Sequence, residues 1–255
     1  MHLIQKSVQI LRKEGVRGFL EKSFKFIKNK IVNIIAKKNT DYIINKLKNV
    51  TLRDVYDIFD FSWNFYLGLI KPIQIKEEFI KLLKIFQELN PKCILEIGTA
   101  NGGTLFCFCK LAKDDATIIS IDLPEGPFGG GYPEWKIPIY QAFAKENQKI
   151  YLLRKDSHHN ETLEEVKKIL NGNQLDFLFI DGDHTYEGVK KDFEMYSPLV
   201  RKGGIIAFHD IVRHPIETGC EVEKFWNEIK NNFQFKEIIK DTSQDWAGIG
   251  ILFKK

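Results

Sequence analysis

Five short apolar runs in this 255-residue chain each carry, at or near their ends, side chains able to bind or move charge. Glu96 stands near the end of 93–97, just before the small-residue turn Gly98-Thr99-Ala100-Asn101-Gly102-Gly103. Asp122 closes 117–122, and Asp156-Ser157-His158-His159 follows 149–154. Asp181 closes 175–181 with His184 three residues on, and His209-Asp210 closes 204–209. Asp181, His209 and Asp210, brought together, offer two carboxylates and an imidazole. That set binds a divalent cation and leaves positions open for substrate oxygens. His184 in the same pocket would serve as a general base. Glu96 beside a turn of backbone amides suits a cationic ligand better than a phosphate. Asp122 occupies the strand end at which nucleotide-binding sheets hold ribose hydroxyls.

Each of these residues also has an ordinary reading. An acid at a strand end caps a loop or a helix. Asp156-Ser157 would equally N-cap a helix starting near Asn160, His184 would cap the helix that follows it, and His209 would be a hydrogen-bonded core residue. Five such ends in succession favour one shared crevice.

For those ends to meet, the elements between them must return each strand to the same edge. Strand-like runs at 93–97, 117–122, 149–154, 175–181 and 204–209 alternate with helix-like segments at 103–113, 136–146, 160–170 and 186–197. This alternation predicts βαβ crossovers and a parallel sheet covered on both faces. Ligands bind such sheets outside the carboxyl ends of the strands, where helix N-termini also point. The runs 233–239 and 249–253 have no long helix between them and predict an antiparallel edge.

The chain is 44% hydrophobic and 28% charged, the composition of a globular protein with ample core material. Its net charge of +4 is unevenly spread. Residues 1–50 hold twelve Lys/Arg and three acids, a net +9, whereas the remaining 26 basic and 31 acidic residues give −5. The region 1–60 reads as a basic helical arm with an apolar stripe at Leu20, Phe24, Ile27, Ile31 and Ile34. Such a helix would lie on an anionic membrane surface, or pack on its own domain or on a second copy in a homo-oligomer. Nucleic acid is not an expected partner. Cys93, Cys107, Cys109 and Cys220 fit neither zinc-knuckle nor CxxC spacing and read as reduced, mostly buried thiols. With no apolar run long enough to span a bilayer and no signal-peptide pattern, the expected location is cytoplasmic, with the inner face of the membrane as the site of any arm contact.

Leu95-Glu96-Ile97-Gly98-Thr99-Ala100-Asn101-Gly102-Gly103-Thr104 resembles the first motif of class I S-adenosylmethionine-dependent methyltransferases. The segments 121–132, 180–189 (Ile-Asp-Gly-Asp-His-Thr-Tyr-Glu-Gly-Val) and 203–211 (Gly-Gly-Ile-Ile-Ala-Phe-His-Asp-Ile) resemble one branch of them. That branch comprises cephalosporin-hydroxylase-like proteins and rhamnosyl and macrolide-sugar O-methyltransferases. The resemblance covers residues 70–255. It implies a doubly wound α/β fold with a seven-stranded, mainly parallel sheet and an antiparallel last strand. It further implies that Glu96, Gly98 and Thr99 contact the methionine part of the cofactor, that Gly102 also binds the cofactor, that Asp122 holds the ribose, and that Asp156 and Ser157 lie beside the adenine. Asp181 and Asp210 match metal-ligand positions, and His184 matches the family's proposed base. One departure stands out: those enzymes carry Glu-Asp where this chain has His209-Asp210, and imidazole suits manganese, iron or zinc better than magnesium, so either the ion is one of these, or His209 is not a ligand, or no metal binds. The implied reaction is metal-assisted methyl transfer to a hydroxyl of a sugar, glycan or natural product, with loop 124–135 (Phe128, Tyr132, Trp135) and Trp246 closing over the site. The competing readings are a metal-dependent hydrolase or lyase on the same fold, and a non-catalytic cofactor-binding module of a membrane-associated glycan-assembly complex.

Overall fold

The computed structural model describes residues 2–126, 128 and 130–255. Four helices come first: α1 (His2–Lys38), α2 (Thr40–Lys48), α3 (Val55–Asn64) and α4 (Lys76–Leu89). Asp54 starts α3 by accepting the Asp57 N–H at 2.9 Å, the usual N-cap bond. Asn90, in the left-handed region with φ 48°, ends α4 before Pro91. The alternation follows: β1 (Cys93–Ile97), α5 (Gly103–Leu111), β2 (Thr117–Ile121), α6 (Ile137–Gln141), β3 (Lys149–Leu153), α7 (Asn160–Leu170), β4 (Leu175–Ile180), α8 (Tyr186–Tyr196), β5 (Val200–His209), α9 (Val222–Ile229), β6 (Gln234–Ile238) and β7 (Ile249–Phe253).

The seven strands form one sheet in the order β3-β2-β1-β4-β5-β7-β6. β1 to β5 are parallel, and β7 runs antiparallel to both its neighbours. The chain winds outward from β1 to β3 and then crosses to β4 on the other side of β1. The β1/β4 boundary is therefore the topological switch point at which such sheets open a crevice. The period-2 alternation of strands divides the core. Ile94, Ile118, Phe177, Phe179, Ile205, Ala207 and Ile251 pack towards α2 to α6. Leu95, Ile97, Ile119, Leu178, Ile180, Ile206 and Phe208 pack towards α7 to α9. The sheet expected from the sequence is the sheet observed.

Two elements differ from their predicted extents. The helix expected over 136–146 is only one turn and a half, α6. The Lys145 N–H bonds the Gln148 side chain at 3.0 Å instead of a helical carbonyl, and the Gln148 amide group donates to Cys109 and Lys113 carbonyls. β5 begins at Val200, four residues early, because Arg201 reaches Asp176 on β4 (Nε–Oδ1 2.6 Å) and holds a polar strand start against it.

The packing also runs through the expected boundary between an arm of 1–60 and a domain of 70–255. Val32, Ala36, Ile43, Leu47, Val55, Ile58 and Phe59 are buried in the same core as α4 and α5. What protrudes is the earlier part of α1, where Leu20, Phe24, Ile27, Ile31 and Ile34 are each at least half exposed. The arm's Lys6, Arg12, Lys13, Lys22 and Lys25 side chains lie outside the described residues, as do Pro127 and Gly129 of the 124–135 loop. Among the described residues no helix is long and apolar enough to cross a membrane.

Candidate active site

The rim of the site is fixed by backbone. Gly98 has φ +99°, and a Cβ there would stand 2.0 Å from the Asp181 carbonyl oxygen, so only glycine lets β1 turn this close to β4. The Gly98 N–H bonds Ile121 O at 2.8 Å and the Asp181 N–H bonds Ile97 O at 2.9 Å, which ties the ends of β1, β2 and β4. Above them lies a cavity of about 410 Å³, within the range of small-molecule sites. Its walls include the turn 98–101, Asp122, Asp156 and Ser157 at one end, and Asp181, His184, His209 and Asp210 at the other.

At the first end, Asp122 is 5% exposed and accepts the Ala100 N–H and the Gly131 N–H, each at 2.7 Å. Burial raises its pKa, and these amides partly offset that. Each oxygen keeps lone-pair capacity for a further donor. Asp156 does not cap α7. It accepts the His158 N–H at 2.8 Å within its own turn, and His159 holds the N-cap position without a side-chain bond. Asp156 and Ser157 thereby stay on the cavity wall. Behind them His158 lies 3.3 Å from Asp192, which together with the surrounding charges raises its pKa.

Two expected cofactor contacts, Glu96 and Gly102, are not in that wall. On β1 the side chain of Glu96 points towards α5, opposite to Leu95 and Ile97. It is fully buried, hydrogen-bonded to Thr104, and accepts from Ser120 Oγ at 2.6 Å. Burial pushes its pKa up to about 8, against the pull of those two hydroxyls. Glu96 is thus a neutral acid under the floor near pH 7, not an anion facing a cation. Gly102, with φ +79°, starts α5 and packs on the Tyr140 ring. Gly98 and Thr99 do line the cavity.

At the second end, Asp181, His209 and Asp210 converge as the sequence predicted. His209 Nδ1 is 3.1 Å from Asp181 Oδ1 and 3.2 Å from Asp210 Oδ1. His184 sits at the same cluster, with Nδ1 3.0 Å from Asp210 Oδ2 and Nε2 3.6 Å from Asp181 Oδ1. Burial disfavours charge on His184, but Asp210, Cys220 and Asp181 outweigh it and raise its pKa to about 10. Asp210 and Asp181 likewise hold His209 well above the ordinary imidazole value despite complete burial. Asp210 is held far below the usual carboxylate range by the imidazoles around it, against the effect of burial. Its backbone adopts φ +65°, an unusual conformation for a non-glycine residue and one found at functional sites.

The donor set fits a divalent cation. Ligands about 2.1 Å from a metal and at right angles to one another lie about 3.0 Å apart, close to the spacings here. Asp210 Oδ1, although 3.2 Å from two imidazole nitrogens, is buried and makes no directed hydrogen bond.

Several residues of the site were not read from the sequence. Gln74, 3% exposed and just ahead of α4, donates to Asp181 Oδ2 at 2.7 Å. No motif announces it. His214 lies 3.2 Å from Asp210, and the spacing His209-Asp210-x-x-x-His214 was a signal available to find it. Of the aromatics expected to close the site, Phe128 stacks on His184 (centroids 4.9 Å apart, planes 10° apart) and Trp246 lines the cavity. Tyr132 is instead buried against Tyr140, and Trp135 packs on the core.

Residues 95–211 match the family model described as a methyltransferase domain. A stretch of 149 residues is 34% identical to the uncharacterized protein y4gI of Sinorhizobium fredii, covering 55% of this chain and 15% of that protein. Another of 136 residues is 31% identical to the probable caffeoyl-CoA O-methyltransferase 1 of Dictyostelium discoideum, covering 53% of this chain and 54% of that one. The chain thus spans about half, or less, of the length of these curated relatives. The O-methyltransferase TomG of Streptomyces achromogenes, solved with S-adenosylmethionine, superposes with a TM-score of 0.53 at 14% identity over 82% of this chain and 94% of that one. At that identity the likeness is one of fold: this chain has the seven-stranded, Rossmann-like fold of methyltransferases.

Proposed function

We propose that this protein is an S-adenosylmethionine-dependent O-methyltransferase whose acceptor is a hydroxyl of a sugar, a glycan or a natural product. The observation that carries the reading is the single cavity that joins Asp122 and the Gly98 turn to Asp181, His184, His209 and Asp210. The methyltransferase-domain match over 95–211 and the activity for which the Dictyostelium relative is named support it. When bound, the cofactor supplies a methyl group already activated on a sulfonium.

The chain's own residues supply alignment and proton handling. Asp122, Asp156 and Ser157 hold the nucleoside end, and the backbone of Gly98 and Thr99 borders the methionine end. Asp181, His209 and Asp210 would hold a divalent ion, manganese, iron or zinc rather than magnesium given the imidazole, and that ion would acidify the acceptor hydroxyl. His184, turned into the cavity beneath Phe128, takes the hydroxyl proton. Without the ion, Asp210 and Asp181 raise the His184 pKa to about 10; a cation held on those carboxylates would draw that value down and free the neutral imidazole to act as the base. Fixing acceptor and donor in line supplies much of the remaining acceleration. The exposed apolar stripe of α1, among basic residues, is read as a contact with the anionic face of a membrane.

Calorimetry with S-adenosylmethionine tests the cofactor assignment, and absence of binding defeats it. His184→Ala is expected to lower turnover by about 10²–10⁴-fold, while cofactor affinity is kept. Unchanged turnover removes His184 from its role.

A further inference from the structure

We propose that His184, Asp210 and Cys220 form a binding site for a soft divalent cation of the zinc class, with His214 as its outer partner. The imidazole nitrogen, the carboxylate oxygen and the thiol sulfur offered by these three residues all lie within 4.8 Å of one another. They come from three separate places. His184 follows β4, Asp210 ends β5, and Cys220 lies in the segment leading to α9. That segment is anchored to the first of them, for the Glu221 N–H bonds His184 O at 2.7 Å. The Cys220 sulfur stands beside both His184 and His214. His214 in turn stands 3.2 Å from Asp210 Oδ1, the buried oxygen without a directed partner, and accepts the Ala247 N–H at 3.2 Å. A histidine standing beside a ligand carboxylate, outside the donor set, takes the place of a second layer around a metal centre.

The chemistry separates this site from the Asp181–His209–Asp210 cluster, with which it shares only Asp210. Thiolate and imidazole select zinc and its neighbours, whereas magnesium and calcium demand oxygen. Three protein donors leave a fourth position for water or a ligand. Cys220 is also the accessible thiol of the chain, the other three cysteines being buried. The site does not depend on the methyl-transfer reading. Its consequence does: an ion on His184 withdraws the general base, so zinc would inhibit turnover.

The test uses the full chain stripped of metal and titrated with cobalt(II), then zinc. Cobalt is expected to give a thiolate-to-metal charge-transfer band in the near ultraviolet that zinc abolishes. Cys220→Ser is expected to lose the band and to bind zinc at least about tenfold more weakly, while Asp181→Asn keeps the band. Zinc should also slow alkylation of Cys220 in the unaltered protein, a readout that stands if the serine variant fails to fold. Cobalt binding without the band, a band that survives Cys220→Ser or disappears in Asp181→Asn, or alkylation indifferent to zinc each overturn the site. Cofactor calorimetry on the same samples reports separately on methyl transfer.

Discussion

Glu96 shows how far the identity of a side chain is from its role. Its type and position, one residue ahead of the strand's end, made it a candidate partner for a positive ligand. The fold turns it into the layer beneath α5, where it shares hydrogen bonds with Thr104 and Ser120. Which face it takes depends on strand parity and on which helix covers that face, and neither is written in the motif. Asp122, Asp181, His209 and Asp210 were legible because they fall at the last turns of strands, where both side-chain directions border the crevice. The buried acid has a measurable consequence. Between about pH 4.5 and 8 the unfolded chain has lost this proton and the folded chain still holds it. The contribution of Glu96 to stability therefore falls as pH rises through that window and is constant on either side. Glu96→Gln, neutral throughout, should gain stability relative to the parent between about pH 5 and pH 8, by an amount on the order of a few kcal/mol at most. Denaturant unfolding at both pH values measures the gap, and a gap that does not widen shows that Glu96 ionises normally.

At the level of elements, the parallel strands and the antiparallel edge followed from the alternation of apolar runs, while the strand order came with the structure. The two elements that misled did so through side-chain bonds that no local pattern announces: Gln148, which takes the Lys145 N–H and reaches back to Cys109 and Lys113 beyond the end of α6, and Arg201, which reaches Asp176 and extends β5. The closure of β1 on β4 depends on one position. Gly98→Ala places a methyl group against a carbonyl and forces a left-handed backbone on alanine, so a loss of about 3 kcal/mol or more is expected by denaturant unfolding. A loss under about 1 kcal/mol would mean the turn relaxes easily. A second tie lies at the other edge. Glu78 on α4 is fully buried and accepts the Lys240 N–H (2.8 Å), the Gln244 amide (2.9 Å) and the Gly248 N–H (2.9 Å). It thus holds the segment between β6 and β7 that carries Trp246 to the cavity. Glu78→Ala orphans those donors and should cost about 3 kcal/mol, with faster proteolysis around 240–247. Cleavage no faster than in the parent would show that the segment is held by its other contacts.

Across the whole molecule, the uneven charge and the apolar periodicity of the first fifty residues foretold helices but not where they stop being an appendage. From Val32 onward they contribute to the core, whereas Leu20, Phe24, Ile27 and Ile31 of the described part of α1 stand clear of it. Removal of residues 1–30 should therefore leave S-adenosylmethionine affinity unchanged while abolishing association with vesicles rich in anionic lipid, since each nearby Lys or Arg contributes about 1 kcal/mol. Vesicle binding that persists, or a truncated chain whose oligomeric state alone has changed, would assign the stripe to self-association.

Residues 70–74 pass over the start of α5 so closely that a Cβ on Gly103 would meet Pro72 N at 2.4 Å, and Gln74 reaches from that segment to Asp181. The stretch lies upstream of the 95–211 span that matches the methyltransferase-domain model. A minimal fragment cut to that span, or a graft of it into another scaffold, would lose a wall of its own pocket and the Gln74 amide that donates to the Asp181 carboxylate. Any transplant of this chemistry has to bring the approach to α4 with it.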